Sequence, residues 1–290
     1  MKIKNNVIRL IWFSSLIAMI LFSSACRQRE ASVENRYVVL SPEVAEVIAA
    51  LGGLQDIVGI TEECNYPSDL KLITKVGKFG MLNKEAILAL KPSIVFTSAL
   101  EQDAITQELK KLGLRVEQIY PRSLIEMISE IRRVGTIIGK ETEGKALADS
   151  IAAFLSTLKQ SASARAKPRV YIEIYRDPLM SVSDASFVGE LIENAGGDNI
   201  FAVLERDYAR VKNEDVISAM PEIMICYSQD TLESIVNRKG WQKIPAIRNR
   251  RIYFEKDINP DLIQRAAPRA TLGMARLREI FDQFHSEESR

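Results

Sequence analysis

A chain of 290 residues, 47% hydrophobic and 27% charged, carries enough apolar residues for one large or two ordinary cores, which excludes extensive disorder beyond its ends. Lys and Arg number 39 against 38 Asp and Glu, so no basic surplus exists for a nucleic acid. The one histidine, His285, falls in the polar C-terminal tail, and a histidine-rich metal site cannot be assembled around it.

Lys2, Lys4 and Arg9 open the chain, and the sixteen residues 10–25 that follow are uncharged and end in small side chains. A positive start, an apolar middle and a small-residue exit make residues 1–25 a secretory signal. The uncharged run falls short of the roughly 20 residues that span a bilayer. Cys26 directly follows Ser23-Ser24-Ala25 and resembles the lipid-attachment cysteine of bacterial lipoproteins, with Ser23 where that pattern prefers leucine. Residues 26–35 then read as a polar, lipidated tether. The expected location is the periplasm or the outer face of the cell membrane, anchored at Cys26. Losing the signal removes three cations and no acids, which leaves 36 against 38, a net charge of −2.

The folded part begins with a short strand at 37–40. Ser41 as N-cap and Pro42 at the first helical position start a helix that Gly52-Gly53 stops. A strand at 57–61 and a loop at 62–68 follow, and the alternation of strand and helix argues for a parallel α/β sheet. Loops at the carboxyl ends of such strands line the binding crevice. That rule puts Cys64, Tyr66 and the loop 77–81, with Phe79, toward a ligand. Packing beneath their own loops is the competing reading for Tyr66 and Phe79.

Residues 83–98, NKEAILALKPSIVFTS, return in pattern at 212–227 as KNEDVISAMPEIMICY. The offset of 129 sets Glu85 on Glu214 and Pro92 on Pro221. Each copy reads as a short amphipathic helix with an acidic first turn, a proline stop and a buried parallel strand. Glu85 and Glu214 should therefore be exposed at the starts of two equivalent helices. Either alone would only complement a helix dipole; their recurrence points to a shared role.

A helix at 101–112 and a strand at 115–119 complete the first half. The pattern then stays helical to about residue 166, broken around 139–144, and the helix 143–163 would reach roughly 30 Å. The expected divisions are a first lobe at 36–140, a connecting helix at 141–167 and a second lobe at 168–290. Gly139, Gly144 and Lys145 match the core of a phosphate-binding loop, but Ala146 replaces its hydroxyl residue, no strand precedes it, and Glu141 and Glu143 would repel phosphate.

The second half repeats the plan: a strand at 170–175, a turn at Asp177-Pro178, a helix at 187–194 and Gly196-Gly197 as its stop. The loop 205–210 stands where 77–81 stood, so Tyr208 should face Phe79 across the gap between lobes. Trp241 reads as the anchor of a helix end. A last strand at 251–255, a loop carrying Arg265 and Arg269, and a closing helix to about 284 end the fold. Arg265 fits either a ligand-facing cation or a carboxylate partner. Cys64 and Cys226 read as unpaired thiols.

Taken in order, LSPEVAEVIAALGGLQDIVGIT, ECNYP, KVGKFGMLNKEAILALKPSIVF, NAGGDNIF, NEDVISAMPEIMI, WQKIPAIRNRRIYF and QRAAPR resemble the cobalamin, haem and ferric-siderophore class of substrate-binding proteins of bacterial ABC importers, class III, with the cobalamin binders most similar. The resemblance covers about 36–283. It implies an α/β fold of two Rossmann-like lobes joined by one long helix, with a ligand cleft between them. It implies a monomer with no cofactor of its own, a small metal-chelate ligand, and a permease dimer with ATPase subunits as partner. Matching motif positions imply ligand contacts at Tyr66, Phe79, Met180, Tyr208 and Arg265, and permease docking through Glu85 and Glu214. Where the cobalamin binders show tryptophans, this chain has Phe79, Ser98, Tyr208 and Leu262, which leaves a corrinoid, haem and a siderophore all open as ligand. A chelatase-like enzyme on the same architecture is the rival reading, though the expected cleft offers neither a histidine nor a nucleophile with a base.

Overall fold

The computed structural model describes residues 35–98, 102–162 and 166–289. The signal, Cys26 and nearly all of the tether lie outside these residues.

Strand β1 (Tyr37–Val39) leads through α1 (Pro42–Ala50) to β2 (Ile57–Ile60); a hairpin, β3 (Gly77–Lys78) and β4 (Met81–Leu82), precedes α2 (Lys84–Ala89) and β5 (Ile94–Thr97). Then come α3 (Asp103–Lys111), β6 (Val116–Gln118), α4 (Leu124–Ile137) and the 22-residue α5 (Glu141–Ala162). The second half runs β7 (Arg169–Glu173), β8 (Tyr175–Arg176), β9 (Leu179–Val182), α6 (Phe187–Ala195), β10 (Asp198–Asn199), β11 (Tyr208–Arg210), α7 (Asn213–Ala219) and β12 (Ile223–Cys226). It closes with α8 (Leu232–Val236), α9 (Pro245–Arg248), β13 (Ile252–Phe254), α10 (Asp261–Gln264) and α11 (Ala270–Glu288).

Two parallel sheets result, in the orders β2-β1-β5-β6 and β10-β7-β12-β13. They share one plan, since β1 and β5 pair in the first as β7 and β12 do in the second. The internal repeat holds at backbone level. Helices α2 and α7 start 129 residues apart, as do strands β5 and β12. Lys91 and Met220, at the same offset, both take the left-handed conformation, with φ of 47° and 48°. Each stands before a proline, which disfavours the right-handed helical region, so the chain leaves both helices by the same turn.

Strand alternation divides the core. Tyr37, Val39, Ile94 and Phe96 of the first sheet and Val170, Ile172, Ile223 and Ile225 of the second face one continuous core that also takes residues of α1, α4, α5, α6 and α11. The opposite faces have separate cores, around Val38, Leu40 and Val95 in one half and Tyr171, Met224 and Trp241 in the other. A shared inner core resists hinge motion between the halves. The sequence around Gly139 and Gly144 serves packing: a Cβ on Gly135 would stand 3.0 Å from the Cα of Gly144. These residues let α4 and α5 meet closely where the chain turns. Cys64 and Cys226 are both buried and free.

Candidate functional site

Two of the first half's exposed aromatic residues, Tyr66 and Phe79, sit on neighbouring loops beyond its strands. Tyr66 follows β2 and is 46% exposed; Phe79, in the turn of the β3–β4 hairpin, is 44% exposed. Their loops are tied together, because the Phe79 amide donates to Glu63 Oε1 at 2.9 Å. A hairpin of two two-residue strands has little strength of its own, so this bond holds its tip.

The second half presents Met180 and Tyr208 on a three-stranded antiparallel ribbon, β11-β9-β8. Tyr208 pairs with Val182, Arg210 with Met180, and Tyr175 with Met180 across the hairpin. Side chains two residues apart share a face, which puts Tyr175, Met180 and Tyr208 on one surface. Tyr175 is 56% exposed. The sequence pattern predicts a strand ending at Tyr175 and a turn beyond it; the chain instead places Tyr175 in β8, the edge of this ribbon.

Where the halves meet, a small cavity of about 60 Å³ is lined by Ser98, Tyr120 and Arg122 from one half and Asp207, Tyr208 and Gln264 from the other. Burial, with Tyr120 and Asp207 nearby, pushes the Tyr208 hydroxyl up to about 12, so it stays protonated. Tyr208 thus meets Tyr120 here, a residue that sequence reading passed over. Its position directly beyond the strand read at 115–119 was a usable signal, since carboxyl-end loops line such crevices. Arg122 and Asp207 face each other at 3.9 Å, and the amide of Leu124 donates to Glu190 Oε2 at 2.7 Å. Both contacts cross the junction.

Arg265 and Arg269 also cross it. Glu46 on α1 is only 2% exposed at its side chain and accepts from Arg269 Nε at 2.7 Å and Nη2 at 2.6 Å. Arg265 lies 3.3 Å from the same carboxylate and 3.0 Å from Asp261, and it donates to Asn65 Oδ1 at 2.9 Å. Its guanidinium is thereby committed to protein groups of both halves. Arg269 stacks on Tyr66 with its guanidinium carbon 3.8 Å from the ring centroid. Beside this stack opens a cavity of about 440 Å³, with Leu272 and Pro268 in its wall. Among the described residues no group of three His, Cys, Asp or Glu side chains could hold a metal ion.

Glu85 and Glu214 are both exposed, each the second residue of its helix. Neither forms an ion pair within the described residues. Trp241 is fully buried beneath Arg238 and against Tyr171, away from any ligand surface.

The family model described as periplasmic binding protein matches residues 38–275. The chain belongs to this family. An uncharacterized ABC transporter substrate-binding lipoprotein, YvrC, of Bacillus subtilis is 27% identical over 84% of this chain and 79% of its own length. A vitamin B12-binding protein of Vibrio parahaemolyticus is 24% identical over 90% of this chain and 94% of its own. Among solved structures, the periplasmic haem-binding protein RhuT of Roseiflexus sp. RS-1 shares the fold, with a TM-score of 0.78 at 23% identity over 87% of this chain and 99% of that one. Within the family, the resemblance read from the motifs and the paired α/β halves agree.

Proposed function

We propose that this periplasmic binding protein is the substrate-binding lipoprotein of an ABC importer, anchored through Cys26, that captures a corrinoid such as cobalamin and delivers it to a permease dimer with its ATPases. The observation that carries the reading is the set of half-exposed rings, Tyr66, Phe79, Tyr208 and Tyr175, with Met180, at the loops beyond both sheets. Ring faces and a thioether suit the flat apolar body of a macrocycle. A B12-binding protein and an ABC lipoprotein among the relatives support the same reading. So does the pair Glu85 and Glu214, which offers one carboxylate per half to a two-fold permease bearing basic sockets. The reading is of a receptor and not an enzyme: the ligand is bound and passed on unchanged.

Haem is the second ligand favoured by an observation, the fold shared with a haem-binding protein. If haem binds, the exposed ring of Tyr208 offers it an apolar face. Calorimetric titration of residues 27–290 with cyanocobalamin, haemin and ferric siderophores tests the proposal. Saturable one-to-one binding to one class supports it, and turnover of any of them would favour the enzyme.

A further inference from the structure

Glu46 lies on α1, in the middle of a helix, where a glutamate ordinarily faces water. Here it is buried with two arginines from residues 219 and 223 positions later in the chain. Arg269 uses Nε and Nη2 on the two carboxylate oxygens of Glu46, a fork that fixes the guanidinium plane. That plane then lies over Tyr66. We infer that Glu46 and Arg269 are positioning residues for the ligand surface: the carboxylate orients the arginine, and the arginine holds the Tyr66 ring where a ligand meets it.

Three observations support this assignment over a purely structural ion pair. Arg269 keeps 14% of its side-chain surface while Glu46 keeps 2%, so the exposed end of the cluster is the one that carries Tyr66. Tyr66 is 46% exposed and has no other ring contact among the described residues; the guanidinium is the ring's defined support. The cluster also reaches Phe79, since Arg265 donates to the carbonyl of Glu63 at 3.3 Å and the Glu63 carboxylate accepts from the Phe79 amide. Two arginines of one half therefore reach both Tyr66 and Phe79 of the other. A ligand would meet a first-half surface whose shape depends on the junction being closed.

The inference rests on the proposed role of Tyr66 in binding, and its test separates the two. 3-Fluorotyrosine would be incorporated and the Tyr66 resonance assigned with Y66F. In E46Q and R269M the ligand-free Tyr66 fluorine signal should shift or broaden while that of Tyr208 stays in place. R269K, which keeps the charge but loses the fork, should behave like R269M. If E46Q fails to fold, R269K and R269M still decide the point. Binding is read with cyanocobalamin and haemin: for whichever binds, R269M should weaken affinity about tenfold, and that effect should vanish in a Y66A background. An unchanged Tyr66 signal in both Arg269 variants would overturn the inference, as would an equal loss of affinity with and without Tyr66. If neither probe binds the parent protein, the proposed ligand class fails and the fluorine signals alone decide the positioning role.

Discussion

Glu85 and Glu214 occupy the same place in two helices 129 residues apart, each exposed and second in its helix. A helix dipole would be served equally by any acidic residue of the first turn; two matched carboxylates with no ion pair among the described residues suit a partner with matched cations. Reversing both charges, E85R with E214R, should change ligand affinity less than about twofold and abolish uptake in cells, because rim charges steer and orient more than they bind. Uptake that survives the double reversal would remove the docking role.

Tyr208 offers a pH test. Its hydroxyl is raised to about 12 in the fold from an ordinary 10.0, so the folded state holds this proton more tightly than the unfolded chain does. The associated stability is complete below about pH 10 and is lost as pH rises toward 12. The difference in near-ultraviolet phenolate absorbance between parent and Y208F should therefore titrate later than that of an ordinary tyrosine. A midpoint near 10 would contradict the burial of the Tyr208 hydroxyl.

In the second half, Glu173 is fully buried and receives Arg238 at 2.6 and 2.7 Å, with Asp230 as the second partner of the arginine. These bonds raise the Arg238 pKa against its burial. R238M would strand the Glu173 charge and should cost about 3–5 kcal/mol. The check is the urea midpoint at an unchanged slope.

Gly273 on α11 stands so close to Leu262 that a Cβ would collide with its carbonyl oxygen. This approach seats α11 on α10, next to Arg265 and Arg269. G273A should destabilise the protein by roughly 1–3 kcal/mol and disturb the Tyr66 fluorine signal as well. Full stability in G273A would show that the two helices can part without consequence.

Much of the fold was legible because its signals are local. Ser41 caps α1 as its position indicated, and the repeat located α2, α7, β5 and β12 at one offset. The ribbon beside the cleft was not legible: β8 has two residues and β11 three, too few for alternation to register. Glu46 was invisible for a different reason. Its mid-helix place reads as a solvated face, and only chain folding brings Arg265 and Arg269 to it. The same long-range contact explains Arg265, whose carboxylate partners lie on α1 and α10.

The most direct test is calorimetric titration of residues 27–290 with cyanocobalamin, haemin and ferric siderophores, run beside a Y66A/F79A/Y208A triple variant. The expected result is one saturable site for a single ligand class in the parent protein, weakened at least tenfold in the triple variant, at roughly 0.5–1.5 kcal/mol per ring. Binding that the triple variant retains in full, or no binding to any of the three classes, would contradict a ring-lined receptor cleft.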